Sequence, residues 1–176
     1  MNKVILVMTL NWLPIHIETH NRWLVWLTLI FGLLVDSISW SKPIALSIPD
    51  ITPLILLYWV LALERSNFLF TALILGLFHD VLYHTHLGSY SLIYILLIYP
   101  VLHIRLQIRN LTLLQISLLV APWFAVHQLL VWLLTTASNL STDFLVYFTV
   151  AIIIATSIWP FAFILLRGIR RSANIR

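Results

Sequence analysis

The sequence contains no cysteine and very little charge, and it carries none of the familiar catalytic signatures. Without cysteine, disulfides and thiolate metal centres are excluded. Charged residues make up 9% of the 176 positions, where a soluble domain carries roughly a quarter. Too few polar groups exist to cover a water-facing surface. There is no G-x-S-x-G, no H-E-x-x-H and no P-loop, and serine and histidine do not fall at a spacing that pairs a nucleophile with a base. The net charge of +4 could suggest nucleic acid. The basic residues, however, are scattered at the ends of apolar runs, the distribution of topology signals.

What the chain has in abundance is apolar length. Hydrophobic residues are 61% of the total and the mean hydropathy is +1.01. Several apolar runs reach about 20 residues, the length that crosses a bilayer core. The expected fold is therefore an all-α integral membrane protein with about six transmembrane helices and no separate soluble catalytic module. The spans are expected at Trp23–Trp40, Pro43–Leu63, Phe68–Leu87, Ser89–Ile104, Leu111–Leu134 and Phe144–Leu166. Residues 1–21 read as a cytoplasmic or interfacial lead, 22–167 as the polytopic membrane domain and 168–176 as a basic cytoplasmic tail. Val4 to Leu10 is short for a signal-peptide core, and no small-residue cleavage site follows. With both termini inside, Lys3, Arg22, Arg65, Arg105, Arg109 and the tail arginines are cytoplasmic and only Lys42 is outside. That is the orientation the basic residues favour.

Pro53 to Gly88 is the informative stretch. Thr52 is a suitable N-cap and Pro53 a suitable first helical residue, so regular helix should begin near Pro53 and rise only about 16 Å to Leu63. Pro43 to Thr52, with Pro43, Pro49 and Asp50, should be irregular. Irregular backbone at membrane depth survives only when buried in protein or lining a wet cavity, and a helix N-terminus opening there favours anions. The alternative is a helix that starts near the outer surface under a thinned bilayer. Glu64-Arg65-Ser66-Asn67 reads as a tight inner turn.

The next run carries Asp80 in the outer half of the core, where an acid costs at least ~2.5 kcal/mol on insertion scales and normally faces the protein interior. Gly76 lies one turn below on the same face and lets another helix approach. His79, His84 and His86 lie nearby; Asp80 and His84 at i, i+4 would share a helix side, but His84 and His86 are expected at the helix end, near Gly88. Metal chemistry needs ligands in fixed geometry with an open position, and no metal, cofactor or catalytic site is assigned here. Asp80 is expected to be a buried hydrogen-bond acceptor that locks helices together, with a proton or solute relay as the alternative. Asp36, beside Ser37, is expected near the outer interface within reach of water, with a polar contact to another helix or a partner as the alternative. The lone His127 is expected to be a satisfied core histidine, with a functional one as the alternative. Pro122 and Trp159-Pro160 should bend their helices.

The central stretch resembles the MreD family, the small membrane subunits of the bacterial rod-shape (elongation) system. The resemblance rests on Pro53 followed by L-I-L-L-Y-W-V-L-A-L with Tyr58 and Trp59, then Gly76, Asp80, Leu87 and Gly88. It extends weakly from Arg22 to about Arg170, including Trp159-Pro160 and the arginine-rich end. This chain departs from the family pattern at Glu64 and at Tyr83 to His86. The resemblance implies a non-enzymatic protein of the inner membrane that binds MreC and helps couple MreB filaments to lateral peptidoglycan synthesis. It also implies a fold similar to the substrate-binding subunits of vitamin uptake transporters. A small-solute binding subunit of a transporter is the alternative function.

Overall fold

The computed structural model describes residues 23–38, 48–63, 68–136 and 144–173. The expected lead, the Glu64–Asn67 turn, Lys42 and the polar loop after Thr136 lie outside the described residues. All regular elements among the described residues are helical: α1 Trp23–Asp36, α2 Ile51–Ala62, α3 Leu69–Leu82, α4 Ser89–Ile108, α5 Leu113–Val131 and α6 Phe144–Ser172. A π-helical turn, Trp132–Thr136, continues α5.

Among the described residues, three helices are long and apolar enough to cross a membrane: Ser89–Ile108, Leu113–Leu134 and Leu145–Ser172. The other three have 14, 12 and 14 residues, so each rises only about 18–21 Å. Leucine, isoleucine and phenylalanine cover the outer faces, with Phe161 75%, Leu118 73% and Phe70 70% exposed. In water such faces would be aggregation liabilities; in lipid they are the proper surface. This is a membrane protein.

The shortest helix is the most buried. In α2 every residue from Thr52 to Leu61 is buried, and the helix packs against α1, α4 and α6. Its sequence, ITPLILLYWVLA, is apolar on all sides, which is the mark of a helix enclosed by protein. A helix that ends inside the bundle must find partners for its terminal backbone groups. At the N-terminus the Asp36 carboxylate of α1 accepts from the amides of Ile51 at 2.8 Å and Thr52 at 2.9 Å. At the other end an Arg170 guanidinium N–H donates to the Ala62 carbonyl at 3.0 Å, and one from Arg105 donates to the Leu63 carbonyl at 3.3 Å. An anion at the N-terminus and cations at the C-terminus also suit the helix dipole.

This arrangement corrects the expected helix start. Asp50, not Thr52, is the N-cap residue, and Pro53 is the third helical residue. The reason is that the cap comes from another helix. Ile51 and Thr52 give their amides to Asp36, and Pro53 then stands where an amide would have had no intrahelical partner. The third span is also shorter than expected. Helix α3 stops at Leu82, and His84 takes a left-handed conformation at φ 52°. The chain turns there because Asp80 gathers the backbone that follows. Helices α5 and α6 continue through Pro122 and Pro160. Helix α5 opens on a capping box: the Thr112 amide donates to Gln115 Oε1 at 2.9 Å, and the Gln115 amide returns to Thr112 Oγ1.

Candidate functional site

Two polar assemblies lie back to back on α3, because adjacent residues His79 and Asp80 point to different neighbours. Asp80 is 1% exposed. Its Oδ1 accepts from the Thr85 hydroxyl at 2.8 Å and the Tyr90 amide at 2.9 Å, and its Oδ2 accepts from the Gly88 amide at 2.8 Å. The carboxylate thus holds the α3–α4 turn closed and takes up the first amides of α4. Gly88 sits at φ 99°, a left-handed conformation natural to glycine, and presents its amide to that carboxylate. One turn before Asp80, Gly76 marks the closest approach of α3 and α4: a Cβ there would be driven into the backbone of Tyr90 and Ser91. The Ser91 hydroxyl donates to the Leu73 carbonyl at 3.0 Å across the same seam.

As expected, His84 lies beyond the end of α3, where it is exposed, and no Asp80–His84 pairing on one helix side forms. His86 is also exposed.

The second assembly gathers residues from five elements: Asp36 at the end of α1, Asp50 before α2, His79 and Tyr83 around the end of α3, Tyr90 and Tyr94 on α4, and His127 on α5. The Tyr83 hydroxyl donates to Asp50 Oδ1 at 3.0 Å. His79 Nδ1 lies 3.1 Å from the Tyr94 hydroxyl, and its ring stacks on Tyr90 with centroids 5.1 Å apart. His79 Nε2 lies 3.6 Å from Asp36 Oδ2. His127 stacks on Tyr94 and packs against Phe124, with its Nε2 4.0 Å from Asp50 Oδ2. Both histidines are fully buried, yet His79 Nε2 and both nitrogens of His127 make no hydrogen bond. Separations of 3.6 and 4.0 Å are too long for one.

Two expectations fail here. Asp36 takes its alternative, a polar contact to another helix, in place of a wet interface: its side chain is 3% exposed, because capping α2 pulls it inward. His127 is buried but not satisfied, because it faces an acid that stops short of hydrogen-bond range. Sequence reasoning named Asp50 only as an acid in an irregular run. Its position at a helix N-terminus was the one available signal, since no sequence spacing relates it to His79 or His127.

Of the remaining singled-out residues, Pro53, Tyr58 and Trp59 lie on α2, and Trp159 and Pro160 lie on α6. The Trp59 indole donates to Thr28 Oγ1 at 2.9 Å, and the Thr28 hydroxyl donates to the Val25 carbonyl, tying α2 to α1. Tyr58 meets Phe163 of α6 edge-on at 5.4 Å. Pro53 is buried in the same seam. Trp159 is fully buried with its indole N–H without a partner, and Pro160 follows half-buried. At the end of α2 opposite Asp36, Tyr58, Phe163, Arg109, Arg167 and Arg170 line a cavity of about 250 Å³.

Together these features define a small all-helical membrane protein whose polar chemistry lies between its helices. The family model described as rod shape-determining protein MreD matches residues 17–169. Rod shape-determining protein MreD of Haemophilus influenzae is 29% identical over 157 residues, covering 86% of this chain and 96% of that protein. No solved structure matches. The chain belongs to the MreD family and acts in rod-shape determination.

Proposed function

We propose that the chain is a non-enzymatic scaffold of the bacterial elongation complex in the cytoplasmic membrane. It crosses that membrane six times with both termini inside, binds MreC, and through it helps couple MreB filaments to the lateral wall-synthesis enzymes. The family match over residues 17–169 carries this reading. The common placement of Arg105 and Arg170 at the Ala62 end of α2 supports the orientation, since basic residues favour the cytoplasmic side. The family assignment does not favour the solute-binding alternative.

In this reading Asp80, Gly76 and Gly88 set the α3–α4 hairpin, while Pro53, Tyr58, Trp59, Trp159 and Pro160 hold α2 in the bundle. The surface offered to MreC is α1. Trp23, Leu27, Ile30 and Leu34 are 60%, 49%, 52% and 62% exposed and recur at intervals of four, three and four residues. That is the seam spacing by which one helix receives another. The test is recovery of MreC from membranes with tagged protein, alongside cell width. Trp23→Ala/Ile30→Ala/Leu34→Ala should reduce MreC recovery and widen cells, whereas Phe161→Ala/Ile164→Ala/Leu165→Ala on α6 should not. Equal recovery from both triples would remove α1 from the interface. Wild-type accumulation, MreC recovery and cell width for Asp80→Ala would refute the role given to the hairpin.

A further inference from the structure

The groups around His79 converge as a set of potential metal-ligating atoms. One ligand atom from each of Asp36, Asp50 and His79 falls within 4.8 Å of the others. Two donors bound to one zinc ion at about 2.0–2.1 Å stand about 3.3 Å apart in a tetrahedron, so closure around an ion asks for side-chain shifts of roughly 1 Å or less. His127 Nε2, 4.0 Å from Asp50 Oδ2, can supply a fourth donor.

Each ligand is also held from behind. Asp36 is oriented by the amides of Ile51 and Thr52, Asp50 by the Tyr83 hydroxyl, and His79 by Tyr94 at its Nδ1. Outer partners of this kind fix the ring and carboxylate orientation in metal centres. The Tyr94 contact leaves Nε2 as the nitrogen that faces the acids. Nε2 is fully buried and makes no hydrogen bond. If it carries the proton, a buried donor is wasted; if it does not, a lone pair faces carboxylate oxygen. Both cost free energy, and a cation between them removes the cost.

The charge balance points the same way. Among the described residues, the groups that meet the Asp36 and Asp50 carboxylates are amides, a tyrosine hydroxyl and imidazoles. The arginines that contact α2 do so at its far end. Two carboxylates in a low-dielectric interior must share a proton or meet a counter-charge. The Asp50 side chain is 17% exposed, which leaves a way in.

We propose that Asp36, Asp50, His79 and His127 form a site for a first-row divalent cation of the kind that takes mixed carboxylate and imidazole donors, zinc being the probe. The ion would pin α1, α2, α3 and α5 together at the end of the bundle opposite the arginines.

The test uses the full chain, freed of any polyhistidine tag, stripped with chelator and reconstituted in nanodiscs. The parent protein has His16, His20, His84, His86 and His103 replaced by asparagine, so that only His79 and His127 remain. Zinc titration should give one equivalent per chain, and cobalt should give the visible bands of a low-coordinate nitrogen–oxygen site. His79→Phe and Asp50→Asn should each weaken zinc binding by at least roughly tenfold. Should those variants fail to fold, X-ray absorption of the zinc-loaded parent still decides: the proposal requires imidazole scattering at about 2.0 Å. No stoichiometric zinc, binding unchanged in folded His79→Phe, or a zinc shell without imidazole would each overturn it.

Discussion

Asp80 stands next to His79, which faces the Asp36–Asp50 pair, and these carboxylates inside one membrane bundle are treated in opposite ways. Asp80 has each oxygen occupied and every donor around it belongs to the turn it closes: Thr85, Gly88 and Tyr90. The other pair is half satisfied. Asp36 spends its oxygens on α2, Asp50 is met by Tyr83, and the two histidines that face them have nitrogens without partners. A fully satisfied buried acid rigidifies the structure around it, while a half-satisfied cluster is a standing cost. The difference separates a carboxylate that builds the fold from carboxylates that the fold holds ready for something else.

The comparison is most easily broken at Asp80. Asp80→Ala leaves the Gly88 and Tyr90 amides without their acceptor and should cost about 3 kcal/mol or more. It should be read as lost accumulation in membranes and an early melt in detergent. A melt like that of the wild type would mean that water satisfies the turn. Gly76→Ala comes next. Its methyl group meets backbone rather than a flexible side chain, so α3 and α4 must part, at about 1–3 kcal/mol. The same melt checks it, and Gly76→Ser should do no better. Arg170→Ala should cost about 1–2 kcal/mol by freeing the Ala62 carbonyl at the end of α2. Hydrogen exchange confined to the last turn of α2 would localise that loss, and Arg170→Lys should recover part of it.

The smallest effect sharpens the comparison most. His127 is as buried as Asp80, but neither ring nitrogen makes a hydrogen bond. In metal-free protein His127→Phe should therefore change stability by less than about 1 kcal/mol, or raise it. A loss comparable to that of Asp80→Ala would show that His127 is satisfied after all and that the two assemblies are alike.

Some of this was legible from residue types. Trp59, Gly76 and Asp80 could be singled out because a membrane makes each of them unusual. The rest was not legible, because it depends on which helix ends meet. The position of Pro53 within α2 is set by Asp36, seventeen residues away on another helix, and local capping preferences could not anticipate a cap supplied from there. His79 and His127 lie forty-eight residues apart with no sequence spacing that relates them.

By itself the sequence determined the medium: 61% hydrophobic residues and 9% charged ones leave no way to face water, and the burial of polar groups becomes the governing cost whatever the fold. Only the tertiary structure decided how that cost is met. Backbone and carboxylate groups find partners according to which helix termini are brought together, and that is a property of packing among the helices rather than of any one of them.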